Sequence, residues 1–496
     1  MADPHELTML EQAAAVRDGE LSPVELAEHY LRRVERLDAS VGAYLTVTAD
    51  RALDGARRAE RLLARHAADG GTAGGGTQGG GPRGGAGLPP LLGVPLPVKD
   101  LDAVPGVRCT YGSAVFAGHT APEGEEPRLV ALLREAGTVL LGKTNTPEFG
   151  LPAYTEGRVG PPARSPHDPS RGAGGSSGGA AAAVAAGLAP AAQGSDGGGS
   201  IRIPASCCGI VGVKPSRGRV SPAPGGDISG LATAGPLART VRDAAALLDV
   251  MAAPAPGDPV PLAAPGTPFL RWCDRTPGRL RIGRWARPDV PGVTVAPEVL
   301  AAYERTSALL AGLGHDVVDV EQPLRPGDRD TFTPVWAVMS ALVPVPAERE
   351  EELLPLTRWL RERGRAATGL DYARALESMQ RVGRRLAGAV ARCDAVLTPT
   401  LAQLPAPVGA LRNDDDPAAD FAAQVAFTPF TGPWNIAGLP AVSLPVEWTD
   451  EGLPVGMMLG AAHGAEGPLL ALAAQVEAAV APRPGPWGWG PRPRVW

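Results

Sequence analysis

Residues 174–205 read GGSSGGAAAAVAAGLAPAAQGSDGGGSIRIPA, two glycine–serine clusters separated by an alanine-rich run. Alanine is the strongest helix former, so Gly179 to Leu188 is predicted to be a helix, of about the length that brings both clusters onto one face of a sheet. Runs of glycine let backbone amides approach a ligand without side-chain obstruction, which suits an oxyanion hole ahead of a serine nucleophile. Ser200 follows Gly197, Gly198 and Gly199, so neighbouring N–H groups are placed to converge on a developing negative oxygen. A flexible loop is the ordinary reading of such a cluster. Ile201-Arg202-Ile203-Pro204 argues against it here, because apolar and conformationally fixed residues belong to an ordered segment.

Outward from this stretch, short apolar runs alternate with helical patterns. Val94 to Val98 and Thr138 to Leu141 read as strands, Pro127 to Ala136 as a helix closed by Gly137, and the alternation predicts an α/β layered fold. Upstream, Ser22-Pro23-Val24-Glu25 has a serine cap, a proline at the first helical position and a glutamate placed to close a capping box. Residues 45–64 read as a short strand and an arginine-rich helix. Downstream come helical stretches Pro297 to Leu313 and Glu348 to Val390, strand-like Asp394 to Thr398, Ala441 to Val446 and Val455 to Leu459, and a last helix Leu469 to Ala479. Gly70 to Gly87 is nearly all small or turn-forming residues and is read as disordered, since it buries too little apolar area to offset its ordering entropy.

Composition narrows the function classes. With 44% hydrophobic and 20% charged residues the chain is not disordered throughout, despite 64 glycines and 53 prolines. A balance of 47 basic and 53 acidic residues without a basic stripe argues against nucleic-acid binding. The N-terminus lacks the pattern of a secretory signal, and the longest apolar run, Ala180 to Ala192, is too short to span a bilayer. Five cysteines (Cys109, Cys207, Cys208, Cys273, Cys393) without metal-ligand spacing read as reduced thiols in a cytoplasmic protein.

Two other patterns compete for the active site. Gly137 to Thr144 matches the P-loop formula, but a helix precedes it and its intervening residues are β-type, so it reads as a structural helix–turn–strand. Gly174 to Gly178 satisfies the G-x-S-x-G formula, yet turn-like residues lead into it, and His315 and His463, the only downstream histidines, sit in no distinctive loop.

The stretch 174–205 resembles the signature of the amidase signature family. The resemblance extends through Gly93-Val-Pro-Leu-Pro-Val-Lys99-Asp100, Gly142 to Phe149, Gly212 to Arg219 and Asn435 to Ala441, covering about residues 10–480. It implies one large α/β/α domain with a central twisted mixed sheet covered by helices, and a Ser–cis-Ser–Lys triad of Ser200, Ser176 and Lys99 with a cis Gly175–Ser176 peptide. Lys99 acts as a base only when neutral, which burial favours; Asp100 would oppose this, but on a strand the two side chains point to opposite faces. The resemblance further implies an oxyanion hole of Gly197, Gly198 and Gly199, with Ser200 as a further donor. Asp196 and Arg202 would support the turn, and Ser177 would bond within the triad network. It implies neither cofactor nor metal, and a small-molecule amide as partner, with no nucleic acid or membrane; a homodimer is left open.

The wording DGGGSIRIPASCCG is similar to the branch holding nylon-oligomer cyclic-dimer hydrolases and other bacterial amidases, and less so to amidotransferase subunits. Gly172-Ala173 stands where the family commonly has Thr-Pro. A stand-alone amide hydrolase and a glutaminase-type subunit of a tRNA-dependent amidotransferase both remain open. The expected organisation is a helical segment 1–69, a glycine-rich loop 70–90, a core 91–250, a helix-rich substrate-side region 251–392, the remaining core 393–481 and an extended Pro/Trp-rich tail 482–496. Candidate pocket segments are Glu148 to Tyr154, Thr333 to Val343 and Phe427 to Asn435.

Overall fold

The computed structural model describes residues 3–69, 87–124, 126–325, 327–480 and 489–496. The stretch 70–86, read above as disordered, lies outside the described residues. Strands β1 (Tyr44–Val47), β2 (Pro95–Lys99) and β3 (Val139–Thr144) form a three-stranded sheet in the order β1-β3-β2. Strands β4 (Arg164–Ser165) and β5 (Asp168–Gly172) make a small hairpin. Among the described residues the main sheet has eight strands: β6 (Ala191–Asp196), β7 (Val211–Lys214), β8 (Thr233–Ala238), β9 (Arg281–Arg284), β10 (Asp316–Asp319), β11 (Ala395–Pro399), β12 (Ala441–Trp448) and β13 (Pro454–Gly460). Their order is β10-β9-β11-β13-β12-β7-β8-β6. The pairings of β9 with β10 and with β11 are parallel and the others antiparallel, so the sheet is mixed.

Side-chain alternation along the strands divides the core. Leu397, Leu444, Met457 and Leu459 enter one apolar cluster, while Val396, Ala441 and Met458 enter another. Both faces are therefore covered, which explains why these strands read as unbroken apolar runs. Helix Gly178–Ala185 is buried on every side and has no polar face. Its glycines make that possible: a Cβ on Gly178 would lie 2.4 Å from Thr155 Oγ1, and one on Gly179 would lie 2.3 Å from the Asn145 nitrogen.

Several expectations need adjustment. Ser22 caps helix Pro23–Val41 through the N–H groups of Val24 and Glu25, but the capping box is not closed; its hydroxyl donates instead to Glu60, at 2.6 Å. Residues 348–390 are not one helix. Pro355 and the Thr368 cap separate a 3₁₀ turn (Ala347–Glu352) from helices Pro355–Ala366 and Gly369–Val390. Strands β9 and β10, unseen in the sequence, lie in this helix-rich region and extend the main sheet. They are four residues each at one end of it, β10 at the edge and β9 next to it, too short for a periodic signal. The described end of the tail, 489–496, packs back on the body: Trp489 is buried, its Nε1 donates to the Arg239 carbonyl, and its own carbonyl accepts from Trp448 Nε1. Among the described residues no helix is long and apolar enough to cross a membrane.

Candidate active site

Lys99 ends strand β2 where the smaller sheet meets the edge strand β6 of the larger one. Among the described residues no backbone ladder joins the two; Gln193 bridges them, accepting from the Lys99 N–H at 2.9 Å and donating to Asp102 at 2.9 Å. The β2–β3 register shifts between Leu96 and Val98, around Pro97, which has no N–H to give the ladder. The Lys99 side chain is wholly buried, with Nζ 2.8 Å from Ser176 Oγ and 3.1 Å from Ser195 Oγ. Burial pulls its pKa down to about 7, against the opposing pull of Asp102 and Asp196.

Asp100 does not pair with Lys99. Its carboxylate accepts from Lys143 Nζ at 3.0 Å and from the Thr110 N–H and Oγ1 at 2.8 and 2.5 Å. The stretch that spells a P-loop is thus strand β3, and its lysine is the buried partner of an aspartate rather than a phosphate ligand.

Ser176 follows a cis Gly175–Ser176 peptide at the start of the alanine-rich helix. Only glycine fits at 175, since a Cβ there would lie 2.7 Å from the Tyr154 backbone. The two serine turns are joined by the Ser177 N–H donating to the Ser200 carbonyl at 3.1 Å. Ser177 Oγ meanwhile exchanges bonds with the Ser195 backbone, donating at 3.2 Å and accepting at 3.3 Å, so it braces the residue that also faces Lys99. Ser200 sits between β6 and helix Arg202–Cys208, 8% exposed.

Asp196 holds the Ser200 turn from beneath. Its carboxylate accepts from the Gly199 N–H at 2.8 Å and the Ile201 N–H at 3.1 Å, and a two-pronged Arg202 contact adds bonds at 2.9 Å. Burial alone would raise its pKa, but the Arg202 guanidinium outweighs that and holds it well below the usual carboxylate range. Gly199, expected among the oxyanion donors, is therefore corrected: its amide is taken by Asp196. Among the described residues no acceptor takes the N–H groups of Gly197, Gly198 or Ser200. Gly199 contributes shape instead, with φ of 137° and no room for a Cβ, which would lie 2.4 Å from Thr431 Oγ1.

All three candidate pocket segments reach this site. A Cβ on Gly150 would lie 3.2 Å from Ser176 Oγ, and Thr431 Oγ1 donates to the Gly198 carbonyl at 2.7 Å. Phe332 and Trp336, stacked at 5.1 Å, cover Gly197 and Gly198. Ser195, Gln193 and Asp102 were not singled out from the sequence, whereas Thr431 and Asn435 fall in the candidate segment Phe427 to Asn435. Gln193 and Ser195 carried a usable signal, because alternate residues of a strand share a face and both point at Lys99. Among the described residues, no group of three or more His, Cys, Asp or Glu is placed to hold a metal ion.

A family model described as Amidase matches residues 78–470. The chain is 35% identical over 501 residues to a 6-aminohexanoate-cyclic-dimer hydrolase of Paenarthrobacter ureafaciens, covering 95% of this chain and 94% of that one. It is also 35% identical over 483 residues to a glutamyl-tRNA(Gln) amidotransferase subunit of Synechococcus sp., covering 91% and 93%. The solved structure of a 6-aminohexanoate cyclic dimer hydrolase complexed with substrate superposes with a TM-score of 0.86 at 31% identity, covering 99% of each chain. The chain belongs to the amidase signature family and is an amidase, a hydrolase of amide bonds.

Proposed function

We propose that the chain hydrolyses carboxamides and linear or cyclic amides through an acyl-serine intermediate, releasing a carboxylate and an amine or ammonia. Ser200 Oγ attacks the carbonyl carbon; its proton passes to Ser176 Oγ as the Ser176 proton passes to neutral Lys99 Nζ. The tetrahedral oxygen is held by the N–H groups of Gly197, Gly198 and Ser200. Its collapse breaks the C–N bond, and Ser176 donates a proton to the leaving amine while taking one back from Lys99. Water then attacks the ester by the same relay and frees Ser200. The carrying observation is Lys99: wholly buried, 2.8 Å from Ser176 Oγ, and in no salt bridge among the described residues. Cyclic amides are favoured by the likeness to a cyclic-dimer hydrolase, and the aromatic pair Phe332 and Trp336 supplies an apolar wall for an extended acyl chain.

The test is intact-mass detection of a fluorophosphonate adduct on wild type, Ser200→Ala and Lys99→Ala. One adduct on wild type, none on Ser200→Ala and slow labelling of Lys99→Ala are expected; labelling that persists in Ser200→Ala sinks the nucleophile assignment. A panel of aliphatic, aryl and cyclic amides then ranks substrates. The equal identity to a relative from an amidotransferase supports a second reading, a glutaminase working with partner subunits. That reading gains if the purified chain is inert toward simple amides and cleaves glutamine only with partners. Cys109, Cys207 and Cys208, free and buried, support a reducing cytoplasmic setting.

A further inference from the structure

Three aspartates lie near Lys99, two just after it in the chain and one on the neighbouring strand. Asp100 follows it directly, Asp102 lies two residues further on and is bonded to the glutamine that holds the Lys99 backbone, and Asp196 ends the neighbouring strand. Each carboxylate has a cation or dipole of its own. Asp196 is taken by Arg202, with Lys214 also acting on it; Asp102 is taken by Gln193; Asp100 is taken by Lys143 and Thr110. Burial pushes the Asp102 pKa up, with Lys143 and Gln193 pulling against it. Cys109 Sγ lies 3.5 Å from Lys143 Nζ, and burial pushes this thiol up to about 11, so it stays neutral and leaves the balance unchanged. Tyr111, beside Cys109, is likewise raised to about 12 by burial.

We propose that Lys143 is a positioning residue for the reaction: by pairing with Asp100 it shields Lys99 from that charge, so that Lys99 can be the base. This rests on the reading of Lys99 given above. The physical ground is geometry. Lys143 and Asp100 are both 0% exposed, and charges in so dry a site act on each other far more strongly than in water. Without Lys143 an uncompensated buried carboxylate would sit one residue along the chain from Lys99 and favour its protonated form; without Asp100 an uncompensated ammonium would do the opposite.

The experiment is the pH dependence of the fluorophosphonate labelling rate, read by intact mass, for wild type, Lys143→Met, Asp100→Asn and the double variant, with circular dichroism checking the fold. Wild type should lose rate as pH falls through about 7. That acid limb should move up by about one pH unit in Lys143→Met, a roughly tenfold slower labelling at pH 7, and down by about the same in Asp100→Asn. The double variant removes both charges, and its limb should return to the wild-type position. Folded single variants whose limbs stay in place overturn the proposal, as does a displaced limb in the double variant. If neither single variant folds, the double variant decides, because replacing both members of a buried pair removes the orphaned charge that either single change leaves. A wild-type rate with no acid limb, or labelling that survives in Ser200→Ala, would instead sink the underlying assignment of Lys99 and Ser200.

Discussion

Asn435 reaches the Ser200 turn from a short helix 239 residues beyond Asp196, its Nδ2 donating to both the Asp196 carbonyl and its carboxylate at 2.9 Å. Its Oδ1 accepts from Arg202 at 2.7 Å, and Nδ2 also reaches the Leu231 carbonyl at 3.1 Å. The C-terminal part of the chain thus completes the polar network beneath Ser200. Asn435→Ala would remove the donor to the buried Asp196 and Leu231 carbonyls and one bond each from the Asp196 carboxylate and Arg202, and a loss of about 2–4 kcal/mol in unfolding free energy is expected. Urea denaturation monitored by circular dichroism checks it; an unchanged midpoint would show that the network carries no stability.

Lys99→Met should lower kcat/KM for any amide the enzyme cleaves by about 10²–10⁴-fold, the usual contribution of a positioned base. In wild type the neutral, competent form predominates above about pH 7, so kcat/KM should rise with pH through that value. A pH–rate profile from about pH 5 to about pH 9 reads both, and a wild-type profile that is flat across 7 contradicts the assignment.

At Gly199, alanine would enter a positive-φ conformation with its Cβ against Thr431 Oγ1. The turn would have to move, and the free N–H groups of Gly197, Gly198 and Ser200 would move with it. Gly199→Ala should therefore cost on the order of 10²-fold in kcat, comparable to losing one oxyanion donor. Steady-state kinetics on a folded variant decides, and near-wild-type kcat is the adverse result.

Trp336 lies across Gly197 and stacks on Phe332. Trp336→Ala should raise KM more than it lowers kcat, and more for amides with long apolar acyl groups than for short ones. Comparing KM for a short and a long aliphatic amide tests this; equal effects on both would remove the indole from the pocket wall.

Far from the site, Glu477 accepts from the Val241 N–H at the start of helix Val241–Met251. Burial pushes its pKa from 4.5 up to about 7, so the folded state holds the proton more tightly than the unfolded chain does. Its contribution to stability is thus fully present below about pH 4.5 and lost as pH rises through about 7. Glu477→Gln should gain on wild type by about 2–3 kcal/mol between about pH 4 and about pH 8. Urea midpoints at the two values measure it, and a constant difference would mean that Glu477 titrates normally.

Much of the site was legible because its parts are contiguous. Ser176, Ser200, Asp196 and Arg202 fall within one short stretch, and the glycines between them have few other uses. The strands β11, β12 and β13 were legible because they are buried on both faces and read as plain apolar runs. Strands β9 and β10 were not, being short and partly exposed, and neither was the role of Gly199, whose amide is claimed by an aspartate three residues earlier. The packing of the tail escapes a local reading because Trp489 finds its partners on Arg239 and Trp448, positions that no sequence pattern connects to it.

The sequence by itself determined the class of chemistry, since the two serines, the lysine and the glycine turn are each present in a pattern that leaves few alternatives. How the charges around that lysine are divided was decided elsewhere. Lys99 and Lys143 both lie at or near strand ends, and Asp100 adjoins the first of them in sequence yet pairs with the second in space. Only the parallel pairing of β2 with β3, and the burial that follows, decided that division. A pKa is set by through-space charge and exclusion of water, and neither is a property of sequence neighbours.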